Sequence, residues 1–167
     1  MGNFSLKFTN IENNLVKLYT LLSESQNIKK LIYYLDSDDP LLEADVNIDL
    51  KDNGNFLLSF FDNKTETEEK VKIYLNIYDG NLRGNAIGII NYTLDIIVPT
   101  SKWILPNTGK LRPYRICDEF AKLVDGQWIA GLGKTMITNF KSYKLNDTLS
   151  GVTLFIKTNS STLKGGF

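Results

Sequence analysis

A chain of 167 residues, 43% of them hydrophobic, is long enough to form one domain that buries roughly 70% of its unfolded surface without staples. Lys plus Arg and Asp plus Glu each number 19, a formal net charge of zero, which argues against a dedicated nucleic-acid binder because those carry a basic excess. There is no histidine and one cysteine, Cys117. That combination excludes an intrachain disulfide, a Cys–His nucleophile, a Ser-His-Asp triad and every histidine-containing metal site.

No apolar run approaches the roughly 20 residues of a membrane-spanning helix. The opening MGNFSLKFTN lacks the basic start and apolar segment of a signal peptide. Its Met-Gly is not followed by the Ser or Thr that myristoylation wants at position six, where Leu6 stands. The protein is therefore expected in the cytosol of the cell that makes it.

Residues 1–9 alternate Phe4, Leu6 and Phe8, the pattern of an arm or an edge strand. Asn10 reads as an N-cap, and Ile11, Leu15, Leu18 and Leu22 then step at helical spacing. Ser23–Gln26 interrupts. A second short helix carries Ile28, Leu31, Ile32 and Leu35 on one face and stops before Pro40, because residues ahead of a proline are pushed out of the helical region. Residues 41–70 hold the alternation Val46, Ile48, Leu50, a second run from Phe56 to Phe61, and Asp52-Asn53-Gly54-Asn55 between them. That is either a hairpin or an extended loop. Asn63–Lys70 is charged and reads as exposed.

Val71, Ile73, Leu75 and Ile77 then alternate with Lys72, Tyr74, Asn76 and Tyr78. After a glycine-containing turn, Asp79–Asn85, the residues Ile90, Tyr92, Leu94, Ile96 and Val98 alternate again up to Pro99. The pair predicts a long antiparallel hairpin with one apolar face on the helices and tyrosines on the other. The clearest helix follows. Pro113 suits its first turn, Ile116, Phe120, Leu123 and Val124 form one stripe, and Asp125-Gly126 ends it through a left-handed glycine. Cys117 lies inside it and reads as a buried filler. Beyond Lys134, Thr138 and Phe140 fall on one face and Ile137 and Asn139 on the other. Asn146-Asp147-Thr148 turns the chain, Val152, Leu154 and Ile156 form the last strand, and the end reads as a flexible tail over 159–167. The expected fold is α+β: one domain over 1–167, a mostly antiparallel sheet packed against helices, with a long β-hairpin.

Candidate chemistry is sparse. Gly131-Leu132-Gly133-Lys134-Thr135 resembles the end of a phosphate-binding loop, but Trp128 stands where that loop needs its first glycine. The segment also follows a helix and opens a strand, the reverse of the required context. Asp36, Asp38, Asp39, Glu43 and Asp45 lack the spacing of a calcium loop, and Glu66, Glu68 and Glu69 have no partner pattern. No catalytic residue, cofactor or metal site is expected. Tyr74 and Tyr78, with Lys72 and Arg83 nearby, suit either stacking on single-stranded nucleic acid or a protein contact; zero net charge favours the contact.

Three stretches carry a resemblance. They are Asn27-Ile28-Lys29-Lys30-Leu31-Ile32-Tyr33-Tyr34-Leu35 running into Asp38-Asp39-Pro40-Leu41; the strand ending Asp95-Ile96-Ile97-Val98-Pro99 with Trp103 after it; and Gly109 to Ile116 with its helix and Gly131-Leu132-Gly133-Lys134. Together they resemble the neck and tail-terminator proteins of tailed bacteriophages. The resemblance implies a tail-terminator-like sheet-on-helix fold and a structural, non-enzymatic virion protein of the neck or tail. Such a protein forms a ring, commonly a hexamer, that caps the tail tube and joins the neck. Its implied partners are copies of itself and adjacent neck, connector, tail-tube or sheath proteins, with DNA passing through the lumen unread and no membrane. A head–tail connector that binds the portal is the alternative, and a small ligand- or nucleotide-binding module a distant third. Tyr74, Tyr78, Asn81, Arg83, Trp103 and Arg112 are the candidate interface residues.

Overall fold

The computed structural model describes residues 6–59, 68–83 and 86–159. Residues 1–5 of the expected arm, Phe60 to Thr67, Gly84 and Asn85 at the hairpin tip, and 160–167 of the expected tail lie outside them.

The chain opens with α1, Leu6–Glu24. Helix thus begins at Leu6, and Asn10 is interior to it, not its cap. Residues 6–9 contain no glycine or proline, and nothing in them stops a helix from extending by a turn. Ile11, Leu18 and Leu22 are buried as expected. Ser25 caps α2, Gln26–Tyr33, by accepting from the Ile28 N–H, and Ile28, Leu31 and Ile32 face the core. From Pro40 to Asp49 the chain is an extended loop with a short 3-10 turn at Pro40–Leu42. Val46 and Leu50 point inward while Ile48 is exposed, so alternation here marks a loop lying along the body. Its backbone is held by Gln26, whose side chain bonds both the N–H and the C=O of Val46.

Five further strands and a helix follow a short first strand: β1 (Phe56–Leu57), β2 (Lys72–Arg83), β3 (Ala86–Pro99), α3 (Arg112–Val124), β4 (Trp128–Ile129), β5 (Gly133–Lys144) and β6 (Leu149–Asn159). They make one six-stranded sheet in the order β1-β2-β3-β6-β5-β4. Every pairing is antiparallel except β1 with β2. The three helices pack on one face, so the fold is α+β. Val71, Ile73, Leu75, Tyr92, Leu94, Ile96, Val152, Leu154 and Ile156 form the sheet side of the core. Ile116, Phe120 and Val124 of α3 close over it, with Leu123 half-buried beside them. Gly126, at φ 70°, ends α3 in the left-handed region. Gly131, at φ 88°, lies so close to α1 that a Cβ would meet Lys17 Nζ at 2.5 Å. That contact is built, since Asn14 and Lys17 donate to the carbonyls of Gly131 and Ala130. Gly131 therefore lets the chain come against α1.

Several expectations need correction. Tyr74 is only 7% exposed. It does lie on the face away from the helices, but Ile97, Leu149, Leu57, Tyr143 and Leu145 gather over it as a second small apolar cluster. Arg112 is fully buried and faces the protein interior. Phe140 shares a face with Ile137, because a bulge between Ile137 and Asn139 shifts the register: Ile137 pairs with Ile156 and Phe140 with Leu154. Finally, Asn159 is the last residue of β6, paired with Ile89, and Thr158 is buried. The ladder extends there because β3 and β5 are both long enough to flank it.

Candidate functional site

Arg112 opens α3 with its side chain turned back under α2. Its Nη1 donates to the carbonyls of Leu31 at 2.6 Å and Tyr34 at 3.4 Å, its Nη2 to Leu35 at 2.7 Å, and its Nε to Lys102 at 2.9 Å. The first of these carbonyls belongs to the last turn of α2, where helix dipoles leave partial negative charge. The guanidinium thus neutralises a helix C-terminus and ties three segments together. Burial pulls its pKa down to about 10, with Asp36 working the other way, so it remains a cation at neutral pH. Trp103 lies half-buried beside it, its carbonyl accepting from the Arg112 N–H. These two residues are structural within the subunit.

The hairpin of β2 and β3 carries the other sequence candidates. Pairing with β6 ends at Ile89 opposite Asn159, yet the hairpin continues through Gly80 opposite Ile90 to Arg83 opposite Ala86. Among the described residues, which end at Asn159 in β6, only the pairs Leu82–Ile87 and Arg83–Ala86 lie beyond the third strand, a short arm. Two bulges interrupt the hairpin, between Ile77 and Asp79 and between Gly80 and Leu82. The first turns Tyr78 outward. Its ring is 65% exposed and stands edge-on to Phe155, centroids 6.1 Å apart. The second places Asn81, whose side chain accepts from the Ile89 N–H at 2.9 Å. Asp79 and Asn91 bond across the hairpin. Tyr78 therefore lies within the three-stranded part of the sheet, Asn81 at the start of the outer part, and the backbone register places Arg83 at the hairpin's end.

The face away from the helices also carries Asp95, half-buried between Thr153, which donates to it, and Tyr143. Burial raises the Asp95 carboxyl above its usual range, although both hydroxyls oppose the shift. A raised carboxyl takes up protons on folding, so its contribution to stability is lost as pH rises through the folded pKa. Asp95→Asn is expected to raise the urea midpoint at pH 7, and its advantage should shrink as the pH falls toward 4 and the parent carboxyl becomes neutral. An advantage that grows on acidification would mean that Asp95 is stabilised as an anion.

Sequence reasoning missed a second surface. Between α3 and strands β5 and β6 runs a groove of about 260 Å³, walled by Tyr114, Cys117, Ala121, Ile137, Phe140 and Leu154, with exposed Asp118 also lining it. Phe140 is 58% exposed and meets Tyr114 edge-on at 6.1 Å, and the Tyr114 hydroxyl bonds Ser142. The bulge in β5 creates this surface by turning Phe140 toward the helices. Inside it, burial and the Asp118 carboxylate push the Cys117 thiol up to about 12, so it is protonated at neutral pH and a poor nucleophile. Lys122 and Arg115 act on a different acid, Glu119. Burial would raise that carboxyl, but hydrogen bonds from Lys122 at 2.5 Å and Asn27 at 2.8 Å hold it below its usual range.

The acidic loop after α2 is tied to the protein's own surface. Lys102 bonds Asp36, Asn107 donates to Asp38, and Lys30 pairs with Asp45 at 3.0 Å. Among the described residues, no group of three or more acidic or cysteine side chains is placed to hold a metal ion, and no helix is long and apolar enough to cross a membrane.

Residues 25–158 match the model of the YomW family. The chain belongs to the YomW family. The match runs from the Ser25 cap of α2 to the penultimate residue of β6, so the family module comprises α2, α3 and almost the whole sheet, with α1 ahead of it. Both the arm and the groove fall inside that module. No curated protein matches the chain.

Proposed function

We propose that this chain is a structural subunit of a tailed-bacteriophage virion, similar to tail terminators, which assembles head-to-tail into a ring at the junction of tail and neck. The ring is expected to be a hexamer. The observation that supports this reading is the arm. A two-stranded hairpin extending past its sheet gains little from its own chain, since an isolated hairpin is marginal in water. Seated on a neighbour, its backbone edge would be covered, together with exposed Tyr78 on the sheet near its base, and tyrosine is among the residues that dominate interfaces. The bulges in β2 and β5 further support a specific contact, because they break the flat ladder that would pair with any strand. Zero net charge suits a lumen through which DNA slides unread. The proposed station is the virion neck, after synthesis in the host cytoplasm.

Native mass spectrometry and sedimentation test this directly. The parent is expected as a closed oligomer of fixed mass. A variant in which residues 81–89 are replaced by Asn-Gly, a two-residue turn suited to the Gly80–Ile90 pair, should be a folded monomer. A parent that stays monomeric at every concentration overturns the ring. A parent that oligomerises only with an added portal protein would instead favour the connector reading.

A further inference from the structure

We infer that the outer edge of β5, from Phe140 to Lys144, takes up an extended segment of another protein as an added strand, with a large side chain of that segment in the groove beside α3. The inference goes beyond the ring reading and does not depend on it.

The edge is the first argument. On its outer side β5 is flanked only by the short β4, which pairs with Gly133 and Lys134. Just beyond, Thr135 exchanges backbone bonds with Gly126 and Gln127, Asp125 accepts from the Ile137 N–H, and Asn139 accepts from the Phe140 N–H. The chain thus seals this half of its own edge, as natural sheets do against stray pairing. The other half is open. The Leu145 N–H donates to the Leu149 carbonyl, so Leu145 turns its backbone toward β6. No register shift falls between Asn139 and Lys144, and alternation along an antiparallel ladder then turns the backbone groups of Lys144, Ser142 and Phe140 outward. All three residues are exposed.

The groove is the second. It runs along the open half of the edge: Phe140 belongs to both, and Ser142 Oγ bonds the Tyr114 hydroxyl at the groove wall. Side chains of an added strand alternate between the two faces. Those opposite Phe140 and Ser142 would point toward α3, over Tyr114, Ala121 and Ile137. The one between them, opposite Lys141, would point to the other face. Lys141 is exposed, as is Asp118 on the groove side, and among the described residues neither is in an ion pair. The complementary segment therefore carries large apolar residues and a base on one face and an acid on the other.

The occupant follows from these two features together. About 260 Å³ falls below the range of roughly 300–1,000 Å³ usual for small-molecule sites. A docked helix would leave the outward groups of Ser142 and Lys144 unmet, because its own backbone is bonded internally. An extended chain meets both demands, with main-chain bonds for affinity and the groove for specificity. The turn after Lys144 ends the strand, so the segment is short.

The probe is a random library of displayed linear peptides, selected on the purified full chain. Enriched peptides are expected to carry large apolar residues at every second position with an acid between them. In a synthetic copy of the best, N-methylation should abolish binding at alternate backbone amides only, the signature of an added strand. Ser142→Pro removes an outward N–H from an edge strand, where proline costs no ladder bond. It should fold like the parent by circular dichroism and bind about tenfold more weakly, the scale of one unmade buried hydrogen bond. Lys141→Glu should prefer a peptide with the acid changed to lysine, and Phe140→Ser should weaken binding without that reversal. A library that enriches no alternating pattern overturns the inference. So does a peptide that tolerates N-methylation at every amide, or that binds Ser142→Pro and Phe140→Ser like the parent. If Ser142→Pro lowers the oligomer mass in native mass spectrometry, a second copy fills the edge and the foreign segment is wrong. The ring reading is tested separately by the parent's own mass, so either can fail alone.

Discussion

Arg112→Met is expected to lower the stability of the subunit by about 3–5 kcal/mol, the scale on which removing one partner of a buried charged network acts. The substitution keeps an unbranched chain of similar reach, so little volume is lost. What disappears is the set of donors to Leu31, Tyr34, Leu35 and Lys102. Carbonyls left buried without donors each carry a desolvation penalty of about 1–3 kcal/mol, relieved only where water can enter. Arg112→Lys keeps the charge but replaces a planar fork by one ammonium, which cannot span the carbonyl acceptors on both sides of the site; about half the loss is expected. Urea unfolding reads both. Because the guanidinium stays charged well past neutral pH, the loss should not vary between pH 6 and 8. A cost under 1 kcal/mol for Arg112→Met would mean that α2 and the Lys102 turn hold together without it.

The main elements were legible wherever one periodicity ran unbroken. Ile116, Phe120 and Val124 marked α3, and the two alternating runs marked β2 and β3 with the correct inner face. Sidedness, however, does not give exposure. Tyr74 and Tyr78 share a strand and a phase of its alternation, which makes them equivalent in the sequence. Leu149 and Leu57, distant in sequence, come over Tyr74, while a bulge turns Tyr78 out. Arg112 departs from its sequence expectation for a related reason. A charged residue off an apolar stripe is ordinarily solvated, and only the approach of α2's C-terminus, some 80 residues away in sequence, makes a buried cation favourable there. The groove was invisible because the bulge in β5 moves Phe140 to the other face, and Thr138-Asn139 carries no local signal for a bulge. A strand with an unexplained large aromatic at the polar phase of its alternation is the cue that was present.

Phe120→Ala should cost about 3–5 kcal/mol, as truncation of a fully buried aromatic does. Phe120 has no exposed surface and lies midway between Ile116 and Val124, one helical turn from each, where α3 crosses the sheet. Little flexible chain is available to fill the space, because the sheet beneath is made of long paired strands and Arg112 holds the start of the helix. The control is Leu123→Ala on the same helix. Leu123 is half-buried at the edge of the stripe, so its loss is expected to cost less than half as much. Phe120→Leu, which retains most of the volume, should cost about 1–1.5 kcal/mol. The order of the three urea midpoints is the informative measurement. If Leu123→Ala is as damaging as Phe120→Ala, α3 is rotated toward Leu123 and the wall of the groove beside Cys117 is not the one described.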